Sequence, residues 1–379
     1  MSSCAPPWDA TKWWDSPYQN VLRGIFNGRA EGLGAPGALR AKALGGSASL
    51  CRARAGRAYH RPMHTATFPP AFFATGLGSM HVTDSLSAMR LLPAGSVHLV
   101  CTSPPFALGC PKPYGNPEES RYVEWFRPFA AEIARLLAPT GSFVLDVGAG
   151  WQKGRPCRSL YPYEVLLMCC RELGLHLAQE LTWWNPATIA SGYWTNHTKE
   201  RLKDAAHHVW WLARSERPKA DVARVRWPYR RHMRGLLRSG RQGRKSPSGH
   251  DNRFFRKDNG GAIPHNLIAL AHEGGSSAYL RACREAGIAP HPARFPEALP
   301  RFFIRMLTDP GDLVLDPFAG SCTTGRAAER LDRRWLCLDR EEDYLRGGVL
   351  RFQTQERTQP RRTRYEIFHP EAGIIHEKE

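Results

Sequence analysis

The sequence predicts an α/β fold with a mostly parallel, twisted sheet, and three observations predict it. From about residue 79 onward, short apolar runs of strand length alternate with segments of helical period. Two of the strands run directly into tight turns, one double-proline and one glycine-rich, where such sheets place their ligands. The alternation is broken once, by a basic block that reads as an insertion.

The elements follow in chain order. Residues 1–70 are rich in Gly, Ala and Arg, with Trp8, Trp13 and Trp14 but no sustained period. They are expected to be a poorly ordered extension, or an over-called start upstream of Met63 or Met80. Ser79–Asp84 reads as a strand and Ser85–Leu92 as a short helix that begins at a serine cap. Val97–Thr102 is a buried strand ending in Ser103-Pro104-Pro105-Phe106. Tyr122, Phe126, Phe129, Ile133 and Leu137 fall on one face of a helix. Ser142–Val147 is a strand, 162–173 a helix and Val209–Leu212 a strand. After the basic block, regular alternation returns over 296–350: a helix, the strand Asp312–Asp316, a glycine-rich turn, a helix, and the strand Trp335–Asp339. The expected divisions are therefore 71–216 and 276–352 as two halves of one domain, 217–275 as an inserted recognition region, and 353–379 as a polar tail.

Composition narrows the function classes. Hydrophobic residues make up 42% and aromatics 10% of 379 residues, which excludes bulk disorder. The apolar stretch 160–183 carries Glu164, Arg171, Glu172 and Glu180, so no membrane span is expected. The N-terminus lacks a secretory pattern, and ten cysteines without a CxxC pair fit a reduced cytosol rather than a zinc site. His207, His208 and His291 lack metal-ligand spacing and read as structural, so no metal is expected. The net charge is +18. From Arg217 to Lys257, 14 Arg/Lys stand against Asp221 and Asp251, a net of +12 in 41 residues. Genome bias toward arginine would not concentrate charge in this way, so a nucleic acid is expected to lie there. Arg224, Arg226, Arg230, Arg231, Arg234, Arg241, Arg244, Lys245, Arg253 and Lys257 are the expected contacts.

Two turns carry the chemistry. In Asp316-Pro317-Phe318-Ala319-Gly320-Ser321-Cys322-Thr323-Thr324-Gly325, a strand gives way to a helix through residues that allow close backbone approach. The next strand ends in Asp339, 23 residues after Asp316, where a carboxylate meets a ribose diol in adenosine-binding α/β folds. In Thr102-Ser103-Pro104-Pro105-Phe106, two prolines fix the backbone and remove two N–H donors. The Ser103 hydroxyl and Pro104 carbonyl then suit a planar group bearing an exocyclic amine, with Phe106 as a stacking plate.

Together these turns resemble the catalytic motif (S/N/D)PP(Y/F/W) and the cofactor motif DPFxGSGTT of the amino-methylating DNA methyltransferases. The order, with the catalytic motif first and the basic block between, resembles the β group. Serine in first position resembles the cytosine-N4 members, whereas Asp or Asn is commoner in adenine-N6 enzymes. TSPPFAL at 102–108, PSGHD at 247–251, KDNGG at 257–261, HPARFP at 291–296 and FFIRMLT at 302–308 extend the likeness over roughly 79–352.

The resemblance implies a Rossmann-like methyltransferase fold dependent on S-adenosyl-L-methionine (AdoMet). It implies that Asp316, Pro317, Phe318, Gly320, Ser321 and Thr323 line the methionine end of the cofactor, that Asp339 faces the ribose, and that Asp84 lies near the adenine. HPARFP, with Phe295, is implied to close over the cofactor. Ser103, Pro104, Pro105 and Phe106 are implied to hold a cytosine flipped out of double-stranded DNA, and 217–275 to read the site. A restriction endonuclease as functional counterpart without a stable complex comes with the family, while a monomeric working state is the default expectation and a cytoplasmic setting, in a bacterium or phage, follows from the cysteines and the N-terminus. An adenine-N6 enzyme of the same fold and a non-catalytic DNA-binding protein are the alternatives, while the basic insertion argues against an RNA or protein methyltransferase.

Three details stand apart. Cys322 replaces the glycine of DPFxGSGTT and is expected to be helical, where it costs little. Val144-Leu145-Asp146-Val147-Gly148-Ala149-Gly150 mimics a cofactor turn but lies downstream of the catalytic motif, and reads as a tight turn. Pro156-Cys157 mimics the nucleophile of cytosine-C5 enzymes and reads as an ordinary cysteine.

Overall fold

The computed structural model describes residues 67–107, 115–148, 150–187, 192–239, 257–271 and 277–353. Residues 1–66 and 354–379, with the expected extension and tail, lie outside that range, as do Arg241, Arg244, Lys245 and Arg253. The described strands are β1 (Phe73–Ala74), β2 (Gly78–Val82), β3 (Val97–Thr102), β4 (Leu137–Val147), β5 (His176–Trp184), β6 (Ala206–Ala213), β7 (Leu267–Ala269), β8 (Leu313–Asp316) and β9 (Arg334–Asp339). They form one sheet in the order β1-β2-β9-β8-β3-β4-β6-β5-β7. Only β1 and β6 run against the common direction.

The helices are α1 (Ser85–Arg90), α2 (Tyr122–Leu136), α3 (Tyr161–Arg171), α4 (Arg231–Ser239), α5 (Ala278–Glu285), α6 (Ala298–Leu307), α7 (Thr323–Glu329) and α8 (Glu342–Gln353). The sheet is buried on both faces because its strands alternate between two apolar layers. Phe143, Leu145 and Val147 join Tyr122, Phe126, Ile133 and Val165 of α2 and α3 on one side. Val144, Val209 and Trp211 join Phe303, Ile304 and Leu307 of α6, and Ala327 and Ala328 of α7, on the other. From β3 the chain passes to β4 on one side and places β8 on the other, so the switch point lies between β8 and β3. Thr102 Oγ1 donates to Asp316 Oδ1 at 2.6 Å and ties these two strand ends together.

Several expected boundaries move, for local reasons. The first helix is capped by Asp84, whose carboxylate accepts from the Ser87 N–H at 2.8 Å, and not by Ser85. Ser85 Oγ instead donates to the Pro317 carbonyl at 2.6 Å. Leu137 is not on the α2 face. It opens β4, five residues earlier than expected, and Ala130 and Leu136 complete the buried face. The strand β5 escapes the pattern because its first five residues are exposed. Inside the basic block, 231–239 forms a helix and does not simply interrupt the fold.

Candidate active site

The carboxyl ends of β2, β3, β4, β8 and β9 open into a cleft with a cavity of about 700 Å³. That size is in the range of small-molecule and cofactor sites. Ser103, Pro104, Pro105 and Phe106 line it, as do Asp84, Phe295, Pro317, Phe318, Gly320, Ser321, Thr323 and Asp339. Two turns from distant parts of the chain therefore share one cleft. Asp316 is the exception. It does not line the cavity but stands behind it, accepting from Thr102 Oγ1 and, at 3.1 Å, from the Phe318 N–H. Burial pushes its carboxyl up to about 6, against the hydrogen bonds of Thr102, Thr324 and the Phe318 amide. Its place is that of a brace.

At the other strand end, Asp339 accepts the Gly320 N–H at 2.7 Å on one oxygen and the Glu341 N–H at 2.9 Å on the other. Burial raises its carboxyl despite those two amides. Gly320 adopts φ +49, and a Cβ there would meet the His291 ring at 3.0 Å. His291, Pro292, Ala293, Arg294 and Phe295 thus lie across the glycine-rich turn and form the facing wall. His291 itself lines the cleft. Burial holds its imidazole down at about 4, so it is neutral at physiological pH.

Cys322 is not helical. It sits at φ 55 and ψ 38 as the left-handed cap before α7, fully buried. A β-carbon in that region costs about 1–2 kcal/mol, so the expected cheap substitution is a strained one. The strain is held by packing: Cβ atoms placed at Gly325 and Gly348 would fall 2.7 Å from its sulfur and 3.1 Å from its Cβ.

The half of the cleft around Ser103 holds residues that sequence reasoning passed over. Asp146, at the end of β4, is buried and accepts from Ser103 Oγ at 3.0 Å. Its other oxygen lies 3.2 Å from His207 Nδ1, at the start of β6. Burial works against a charged His207, but the Asp146 carboxylate and the hydrogen bond to it outweigh that and raise its pKa. The His207 ring meets Phe106 edge-on at 5.6 Å and Trp183 at 4.8 Å. Phe106 is held from behind by Gly148, where a Cβ would stand 2.5 Å from its ring, and its carbonyl accepts from Asn116 Nδ2 at 2.7 Å. Tyr122 Oη donates to the Pro105 carbonyl at 2.9 Å, which fixes the double-proline turn. Of the segment 144–150, Asp146 thus faces the cleft. Its strand position, one step before a glycine-bounded end, was the signal that could have found Asp146. Cys157 is exposed and makes no contribution to the cleft.

The basic region divides. Arg224 pairs with Asp309 at 2.7 Å and with Asp221 at 3.0 Å, and donates to the Thr308 carbonyl, so it braces the end of α6 and is not offered to a ligand. Arg230, Arg231, Arg234 and Lys257 are exposed, whereas Arg226 is half-buried. Arg231, Arg234 and Arg238 recur at helical spacing along α4, opposite the half-buried Met233, Leu236 and Leu237.

With this geometry in place, comparison with known proteins decides the family. Residues 97–350 match the family model described as DNA methylase. The chain belongs to that family. It is 44% identical over 285 residues to the type II methyltransferase M.PvuII of Proteus hauseri, across 74% of this chain and 85% of the relative. A solved structure of the PvuII DNA methyltransferase (cytosine-N4-specific) matches with 39% identity and a TM-score of 0.62, over 77% of this chain and 91% of that one. The type II methyltransferase M.HpaI of Haemophilus parainfluenzae is 24% identical, across 69% of this chain and 70% of the relative. The protein is thus a DNA methyltransferase, and the Rossmann-like α/β fold expected from the sequence is the fold observed. No described helix is long and apolar enough to cross a membrane.

Proposed function

We propose that this DNA methyltransferase acts at specific duplex sites on the exocyclic N4 of a cytosine extruded from the helix, with AdoMet as cofactor. The observation that carries the reading is Ser103: it lines the same cleft as the glycine-rich turn, with its hydroxyl hydrogen directed at Asp146. The cleft fits AdoMet. Gly320 lets the turn lie at positive φ close under the His291 wall, Asp339 and Glu341 line the cleft with carboxylates for a ribose, and Phe295 and Phe318 supply apolar walls. When bound, AdoMet supplies an electrophilic methyl group.

The chain's own residues do the rest. Extrusion of the base costs a few kcal/mol, and Phe106 offsets part of that by stacking. Ser103 Oγ, which donates to Asp146, has lone pairs left to accept an N4 hydrogen. That hydrogen bond turns the nitrogen lone pair out of ring conjugation. Once nitrogen has become cationic its proton passes to Ser103 Oγ, while the serine's own proton moves to Asp146 Oδ2. His207 holds that carboxylate from its other side. Positioning carries most of the rate, with no covalent link between enzyme and base.

In this reading 71–216 is the catalytic half, 217–275 the target-recognition region and 276–352 the cofactor half. Arg230, Arg231, Arg234 and Lys257 contact phosphates. The protein works as a cytoplasmic monomer, paired in function with a restriction endonuclease and without a stable complex. The test is product identity. Plasmid DNA incubated with enzyme and labelled AdoMet is digested to nucleosides and read by mass spectrometry. N4-methylcytosine is expected, and N6-methyladenine overturns the assignment of the base. Ser103→Ala should lose turnover and keep DNA binding, and unchanged methylation in it removes Ser103 from the mechanism.

A further inference from the structure

We propose that Leu202, carried on the connection between β5 and β6, enters the duplex beside the target base and fills the space that extrusion leaves. The proposal rests on the base-extruding reading above. It starts from the register of the hairpin. Trp183 pairs with His207 and Trp184 with Ala206, and both Trp183 and His207 line the base-facing half of the cleft. The Asn185 N–H donates to the Ala205 carbonyl at 2.8 Å and closes the neck. The described residues 192–205 therefore return to β6 on the edge of the sheet where the cleft opens.

The connection is built to present something. The amides of Glu200 and Arg201 both donate to the Trp194 carbonyl, at 3.0 and 3.1 Å, and tie its two limbs together. The Arg201 guanidinium donates twice to the Pro156 carbonyl, at 3.2 and 3.0 Å. Arg158 pairs with Asp204 at 2.5 Å and lies 4.7 Å over the Trp151 ring. Residues 151–158 follow β4, which carries Asp146. The loop is therefore braced against the other strand that frames the pocket. On this brace Leu202 is 91% exposed, more than any other large apolar side chain among the described residues. A single exposed leucine is ordinary on a protein surface. This one stands between exposed Lys199 and Lys203, five positions before His207, which lines the cleft. Cations that meet phosphates on either side of an apolar wedge are the chemistry that separates stacked bases.

The test uses duplexes that carry the mapped site, with 2-aminopurine next to the target cytosine as a reporter of unstacking. Leu202 touches nothing that the fold needs, so Leu202→Ala should melt like the wild type and bind AdoMet equally. On the matched duplex it is expected to lose at least about tenfold in kcat/KM and most of the fluorescence rise. A target cytosine placed opposite an abasic site is already cheap to extrude, and there the variant should come within about twofold of the wild type. Leu202→Met should retain most activity. Equal turnover of wild type and Leu202→Ala on the matched duplex overturns the proposal, as does the same loss on both duplexes, which marks a backbone contact instead. If the wild type itself unstacks neither duplex, base extrusion fails and the wedge with it.

Discussion

Replacing Gly148 by alanine tests the geometry of the base pocket with one carbon atom. The new Cβ would stand 2.5 Å from Phe106 Cε2, 2.8 Å from Cδ2 and 3.2 Å from Cζ. Carbon atoms rest at about 3.5–4.0 Å, so the ring must retreat by about 1.2 Å. It cannot do so freely, because His207 meets it edge-on and Asn116 holds the Phe106 carbonyl. Overpacking of this kind costs about 1–3 kcal/mol in stability. A displacement of about 1 Å at a stacking plate costs about 100-fold in turnover. The expected result is a large fall in kcat with AdoMet affinity unchanged, since Gly148 is absent from the cofactor half of the cleft. Single-turnover methylation, isothermal titration with AdoMet and a urea melt separate the three quantities. Full turnover in a folded Gly148→Ala protein would show that Phe106 does not hold the base. A loss of AdoMet binding equal to the loss of rate would show that the two halves of the cleft are not separable as described.

Three further outcomes are expected. At Cys322 the left-handed backbone inverts the usual order of small residues: Cys322→Gly should be more stable than Cys322→Ala by about 1–2 kcal/mol in chemical denaturation, whereas at a helical position alanine would win by about 1 kcal/mol. Removing Arg231, Arg234 and Arg238 together should flatten the dependence of log K on log salt for DNA binding by up to about 0.9 per lost phosphate contact, while Arg224→Ala should leave that slope alone and lower the melting temperature. The raised pKa of His207 makes its contribution to stability complete below the unfolded-chain value of about 6.5, and that contribution is lost as pH rises through the folded value. The margin of wild type over His207→Gln in urea should therefore shrink from pH 5.5 to pH 9, and a margin that grows refutes the pairing with Asp146.

The strands that carry the two recognised turns were legible because they are short, apolar and end in residues with few conformational options. Pro104 and Pro105 announce a turn whatever surrounds them, and Gly320 announces a backbone that needs positive φ. What escaped is what depends on distance. Asp146 and His207 are 61 residues apart and meet only because β6 folds back antiparallel on β4, with Val209 opposite Asp146. No local pattern records that register. His207 reads as structural from sequence because it lacks metal-ligand spacing, and its neighbour His208 does stack on Trp210. Arg224 misled in the opposite direction. It lies in a cationic run, but its acidic partner Asp309 is 85 positions away in the chain. Cys322 was misjudged because the helix signal of Thr323 and Thr324 is real but starts one residue later than assumed.

The four aspartates at this edge of the sheet show how one residue type takes different duties through its hydrogen-bond partners. Asp84 caps α1, and Asp316 joins two strand ends from behind the cavity. Asp339 is engaged on both oxygens by backbone amides, which cannot give up their protons, so it orients the Gly320 turn. Asp146 alone of the four has an imidazole partner, with a hydroxyl that lines the cleft on its other oxygen, whereas the hydroxyls on Asp316 come from Thr102 and Thr324, which are buried. Amides and buried threonines fix a carboxylate in place, whereas an imidazole and a hydroxyl at the cleft give it partners through which a proton can pass. In the proposed reaction the proton of the amine therefore leaves toward β4, while Asp316 and Asp339 hold the strand ends and the Gly320 turn. Asp146→Asn should consequently reduce turnover more than Asp316→Asn at pH 7.5, with AdoMet binding kept in the former. The reverse order in kcat would place the proton path at β8.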